Sequence, residues 1–257
     1  MNRRKALGAF GTISLGGLLA ACGGDSGSQS TSVATTAGET TTVTPESATS
    51  DATSALFDEG GSCRVTVEQT EGPYYFDADK VRSDIREDRK GTRLRLALRV
   101  QDAECAPVAN AVVDIWHADA GGAYSGFDGS SAGGGPPAPG GGGGGAQTST
   151  RYLRGAQVTN RDGIVEFVTV YPGWYEGRTV HIHAMVHVDN ASVLTTQLYF
   201  DDELSSKVYA ADGAYGARGD RDRLNGSDAI FDASLIVPAK AGDDGYVGAM
   251  TFNLQSA

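Results

Sequence analysis

The chain holds four histidines, and three of them fall in residues 171–188, YPGWYEGRTVHIHAMVHV. Pro172-Gly173 predicts a turn, and a strand follows it. Val180, Ile182, Ala184, Val186 and Val188 share one face of that strand; His181, His183, Met185 and His187 share the other. Successive side chains of a strand point to opposite faces, so His181 and His183 stand side by side, roughly 6–7 Å apart at the backbone. Two imidazoles at that separation can converge on one metal ion. The phenol of Tyr175 and the guanidinium of Arg178 lie just upstream. The fourth histidine, His117, follows another apolar run, seven residues before Tyr124.

Taken alone, such a pair is a weak signal, because most strand histidines are surface or hydrogen-bonded residues and short motifs match by chance. The donor types leave the metal open. Phenolate is a hard anionic oxygen and suits a hard, oxidised ion such as ferric iron, whereas zinc sites more often show Cys, His or carboxylate ligands. His187 shares the face but lies roughly 13 Å from His183 along the strand, too far for the same ion.

The elements that must position these groups read as strands. Residues 92–100 alternate strictly, with Leu94, Leu96, Leu98 and Val100 inward and Arg93, Arg95 and Arg99 outward. Residues 111–116 are apolar on both faces, which predicts a central strand, and Asp114 within it must be paired or at a pocket rim. Further strands are expected over 165–170, 179–188, 193–200 and 246–254, punctuated by Asp162-Gly163 and Asp189-Asn190 turns. Residues 201–228 read as loop with one helical turn. Short strands, turn residues and no long helical period predict an all-β fold, an immunoglobulin-like or prealbumin-like β-sandwich with long active-site loops.

Length allows one large domain or two small ones across 257 residues. The formal charge of -11 and the absence of a basic stripe exclude nucleic acid as an expected partner. Residues 1–22 read as a leader: Arg3-Arg4-Lys5 supply a positive head, 6–21 are small and apolar, and LAACG looks like a bacterial lipobox ending in Cys22. Cys22 would then be lipidated and anchor the chain to a membrane, and the twin arginine suggests export of a folded protein; an uncleaved anchor is the alternative. Either way the domain is expected outside the cytoplasm, at the cell envelope. Residues 23–61 read as a disordered acidic Ser/Thr/Gly tether, poor in large apolar residues. The catalytic domain is expected over 62–257, interrupted by a glycine-rich loop insert at 129–145 that cannot form a packed element. Once Cys22 is lipidated, Cys63 and Cys105 remain. An oxidising compartment predicts a disulfide between them, worth about 4 kcal/mol on the chain-entropy model.

Several segments together resemble a known family. DIWHADAGGAYSGFD (114–128), PGWYEGRTVHIH (172–183) and TTQLYF (195–200), preceded by TVEQTEGPYYFD (66–77) and VRSDIRED (81–88), are similar to the intradiol ring-cleavage dioxygenases, the catechol and protocatechuate class. The motifs occur in family order over about 63–200. The resemblance implies an Fe(III) cofactor held by Tyr124, Tyr175, His181 and His183, and a reaction in which O2 splits a catechol-type diol between its hydroxyls. It implies that Tyr175 is displaced by substrate and takes a substrate proton, with His183 opposite it and Tyr124 and His181 in the plane. It further implies that Arg178 stabilises the anionic species as the ring opens, and that Gln197 donates a hydrogen bond to bound oxygen or substrate. The helical dimerisation segment of the larger intracellular members is replaced by the leader and tether, so their dimer cannot be carried over. Two other classes remain: a cell-surface module binding iron or catecholic ligands without turnover, and a structural envelope lipoprotein with no metal.

Overall fold

The structure, a computed structural model, describes residues 31–34, 40–43, 51–59, 63–127, 148–189 and 191–255. The leader, Cys22, the 129–145 insert and most of the 23–61 segment lie outside the described residues. The described strands are β1 (Thr31–Ala34), β2 (Thr40–Val43), β3 (Arg93–Gln101), β4 (Val112–Trp116), β5 (Arg154–Val158), β6 (Ile164–Val170), β7 (His181–Val188), β8 (Ala191–Tyr199), β9 (Ala239–Gly242) and β10 (Gly245–Asn253); the helices are α1 (Asp51–Glu59) and α2 (Asp202–Ala211). β1 and β2 form a hairpin. The other strands form two four-stranded sheets, ordered β6-β3-β10-β9 and β5-β4-β7-β8.

The alternation of β3 does what its pattern predicts. Leu94, Leu96, Leu98 and Val100 are fully buried, and they meet Ile115, Ile182, Ala184 and Leu198 of the other sheet in one apolar core. Every apolar residue on that face of β7 is therefore committed to the core, which leaves His181, His183 and Met185 on the opposite face. Register carries the rest. Residues directly opposite in neighbouring strands share a face, and Arg154, Trp116, His183 and Gln197 are opposite one another across β5, β4, β7 and β8. The outer face of the second sheet is thus the working face. It is buried because residues 70–76 and the loop after β4 lie over it.

The all-β, sandwich-type expectation is corrected. Two helices accompany the sheets, β10 runs parallel to β3, and neither sheet closes into a barrel, so the fold is mixed α/β. The 201–228 segment, expected as loop with one turn, opens with the ten-residue α2. Its start is written locally: Asp201 caps it, accepting from Leu204 N at 2.9 Å, and Asp202 and Glu203 sit in the first turn where acidic groups favour the helix dipole. Val208 and Ser205 bury its inner side, Ser205 bonding Tyr171 at 2.8 Å.

Within the 23–61 segment the structure describes β1, β2 and α1. Leu56 and Phe57 of α1 pack on Ala97 and Ala249, and Val43 of β2 packs on Val112 and Val158. Cys63 and Cys105 are joined as a disulfide, with Cα atoms 5.6 Å apart.

Candidate metal centre

Four donor atoms meet above β7. His181 Nε2 lies 3.1 Å from His183 Nε2, 3.4 Å from the Tyr124 hydroxyl and 3.3 Å from the Tyr175 hydroxyl. The imidazoles come from one strand face, as their period of two requires. Tyr124 comes from the loop after β4, and Tyr175 from the loop entering β7. Gly173 lets the two loops touch: a Cβ there would stand 2.2 Å from Asp119 O, a clash with backbone. Gly72 plays a similar part above His183. Its φ is +73°, and a side chain would press to 3.0 Å on the imidazole Cε1.

The protonation pattern suits a cation. His181 Nδ1 is 2.7 Å from Thr179 O, and a carbonyl only accepts, so this nitrogen carries the proton and Nε2 keeps its lone pair toward the site. Burial lowers the His181 pKa to about 3 and puts that of His183 well below the usual value, so both rings are neutral ligands. Burial raises Tyr124 and Tyr175 instead, so their phenols need a strong local positive charge before they ionise. Among the described residues no group of three or more His, Cys, Asp or Glu side chains converges. Two neutral imidazoles and two phenols therefore fit a hard, highly charged ion better than zinc.

Around these donors the structure places a second layer of contacts. Trp116 stacks flat on the His183 ring, with centroids 4.9 Å apart at 5°, and Tyr74 stacks on Tyr124 at 4.5 Å and 17°. Arg178 donates from Nε to Asp228 Oδ2 at 2.8 Å and from Nη2 to Gln197 Oε1 at 2.6 Å. Gln197 Nε2 donates to Thr70 O at 2.9 Å. Its donor and acceptor partners admit one amide orientation, with the carbonyl facing Arg178. In this geometry Gln197 is a strut for Arg178, and one N–H of its amide is committed to Thr70 O.

A family model described as "Dioxygenase" (Dioxygenase_C) matches residues 70–224, a span that contains all four donors, Arg178 and Gln197. A solved intradiol ring-cleavage dioxygenase from Tetranychus urticae is 32% identical with a TM-score of 0.68, covering 75% of this chain and 95% of its own. The chain belongs to the intradiol ring-cleavage dioxygenase family.

The dioxygenase domain of a dioxygenase–carbohydrate-binding fusion from Streptomyces sp. SirexAA-E is 29% identical, with a TM-score of 0.55 over 76% of this chain and 100% of that one. A chlorocatechol 1,2-dioxygenase from Rhodococcus opacus is 30% identical over 138 residues, 46% of this chain and 48% of the relative. The chain spans about half the length of the curated relatives it matches.

The geometry adds a residue that motif reading missed. Asp228, in the loop after α2, is buried and accepts from Arg178 Nε, from Thr179 N at 2.9 Å and, through Oδ1, from Ile230 N at 3.0 Å. Its only signal in the sequence is an acidic residue in a turn-rich stretch, and nothing in that spacing points to a partner fifty residues earlier. His117 has a different fate from the other imidazoles: it is buried between Ala118 O at 2.8 Å and Thr169 Oγ1 at 2.7 Å, away from the donors.

Proposed function

We propose that the protein is a non-haem Fe(III)-dependent enzyme that uses O2 to open a catechol-type diol between its two hydroxyls, giving a cis,cis-muconate-type dicarboxylic acid. The observation that carries this reading is the convergence of two phenols and two neutral imidazoles beside a clamped arginine. Tyr124, Tyr175, His181 and His183 would hold the ion. When bound, it supplies the Lewis acidity that draws a catecholate and O2 together.

The chain's own residues do the remaining work. His181 and His183 offer lone pairs without first losing a proton, because burial keeps both neutral. Tyr175 is the donor in the β7 entry loop, next to Arg178. By the family resemblance it would be the donor that gives way when a diol binds, and its phenolate oxygen would take a substrate proton. Arg178 keeps its positive charge beside that oxygen and stabilises the negative charge that builds up as the ring bond breaks. Asp228 and Gln197 fix its direction, so the stabilisation needs no reorganisation at the moment of reaction. Exclusion of water by Tyr74, Trp116 and Gly72 strengthens each of these interactions. The balance closes without a reductant. The bond between the two hydroxyl-bearing carbons and the O–O bond both break, and each of those carbons gains one oxygen atom and becomes a carboxyl. The diol is oxidised, O2 is reduced, and the diacid contains every atom of both.

The test is isotopic. Under 18O2 and with catechol, the product is expected to be a ring-opened diacid carrying both labelled atoms. A product cleaved outside the two hydroxyls, or iron and catechol binding with no oxygen uptake over a panel of diols, would contradict the reading; the second result favours a binding module. We propose in addition that the chain is exported and lipid-anchored through Cys22, on the strength of the 1–22 sequence. Cys22→Ser should free it from membranes in its own host, and a soluble wild type that retains Met1 would count against the anchor.

A further inference from the structure

Arg154 is an unusual residue to find at the bottom of a protein interior. It is 1% exposed, and none of the ion pairs among the described residues includes it. A buried cation without a charged partner is expensive, so its presence calls for a compensating role. Burial draws its pKa down to about 10, which leaves it charged at neutral pH. Asp114 is the carboxyl that feels this charge most, but burial, and then Asp77, push that acid up to about 8.

What Arg154 does hold is backbone. Nη2 donates to Tyr74 O at 2.8 Å and to Ser125 O at 2.9 Å, and Nε donates to Ser125 Oγ at 2.9 Å. The guanidinium carbon stands 4.1 Å from the centre of the Phe76 ring. Nη1 is buried with no partner. The two segments it ties are not strands, so no sheet ladder fixes one against the other. Yet they carry the rings that stack on each other, Tyr74 and Tyr124. Register adds the other half of the site. Arg154 is directly opposite Trp116, and Trp116 is opposite His183, whose ring it covers.

We infer, on the reading of the four donors as a metal centre, that Arg154 is the positioning residue of that centre: one guanidinium ties the Tyr124 loop to the Tyr74 segment and sets Tyr124 against the imidazoles of β7. The planar fork is what the task requires. A lysine would keep the charge but present a point donor, unable to bridge two carbonyls and a hydroxyl in one plane.

The test compares Arg154→Lys and Arg154→Met with the wild type, using Arg95→Lys on the far sheet as the control. In metal-free protein, amide hydrogen exchange over residues 72–76 and 123–127 should be at least tenfold faster in Arg154→Lys, with β3 and β10 unchanged. In iron-loaded protein the same variant should bind ferric iron at least tenfold more weakly and shift the visible phenolate-to-iron band. Arg95→Lys should leave all three readouts as they are. Should Arg154→Met fail to fold, the Lys variant decides the matter. Wild-type exchange and wild-type iron affinity in Arg154→Lys would overturn the inference, as would uniformly faster exchange with iron affinity intact. A wild type that takes up no ferric iron overturns the proposed activity and this inference with it; coloured, iron-loaded wild type beside an unaltered Lys variant overturns only this one.

Discussion

The guanidinium of Arg178 has two fixed neighbours, Asp228 at 2.8 Å and Gln197 at 2.6 Å, and neither is close in sequence. Arg178→Ala should keep the iron and still bind catechol, while kcat falls by about 10²–10³, the scale for loss of a group that acts mainly in the transition state. Asp228→Asn keeps the shape and loses the charge-assisted bond. It should lower kcat by about tenfold with KM little changed, and the double variant should be far from additive because both changes act through one group. Additive losses in steady-state kinetics would show that Asp228 does not work through Arg178. The pairing of His181 with His183 is legible because the strand period is local. Asp228 and Arg154 were not legible: their partners lie 50 and up to 80 residues away and are brought near only by the fold.

Elements were legible to the extent that their apolar pattern was strong. The alternation in β3 and the buried run in β4 announce themselves, since burial on one face or two is written directly into residue type. β5, RGAQV, has one apolar β-branched residue and a glycine, and its assignment depends on pairing with β4. α2 was hidden for a different reason: its acidic N-cap and first turn are also turn residues, and its buried side is narrow. Loop contacts at this scale have consequences for the metal. Gly173→Ala would drive a Cβ to 2.2 Å from Asp119 O. The expected cost is about 1–3 kcal/mol in urea unfolding, together with weaker iron binding, as the loops carrying Tyr124 and Tyr175 separate. An unchanged midpoint and unchanged iron affinity would show that the close approach has no part in holding the site.

For the whole molecule, buried imidazoles make acid the weak side of the metal-free protein. His181 is held at about 3, His117 at about 4 and His183 well below its usual value, all chiefly by burial. An unfolded imidazole takes up a proton near pH 6.5, so below that pH the unfolded state binds protons that the folded state refuses, and stability falls as pH drops. Asp114 works in the opposite sense. Burial holds it protonated up to about 8, so its contribution is lost as pH rises toward that value. Burial also lowers His187, so four imidazoles against one carboxyl leave a net loss between about pH 6.5 and 4, on the order of 1.4 kcal/mol per pH unit for each net proton. Chemical unfolding of metal-free protein across that range checks the sign, and stability that rises on acidification would contradict it.

The proposed function requires that Tyr124, Tyr175, His181 and His183 form one ferric site, with Tyr175 giving way when a diol binds. Its most direct test is a ferric titration of metal-free protein followed in the visible, then anaerobic addition of catechol. Colour should saturate at about one iron per chain, since phenolate-to-iron charge transfer requires the tyrosines as ligands. That band should shift when catechol binds, with most of the colour lost in Tyr124→Phe. Protein that stays colourless at saturating iron, or a band unchanged in Tyr124→Phe, would contradict it.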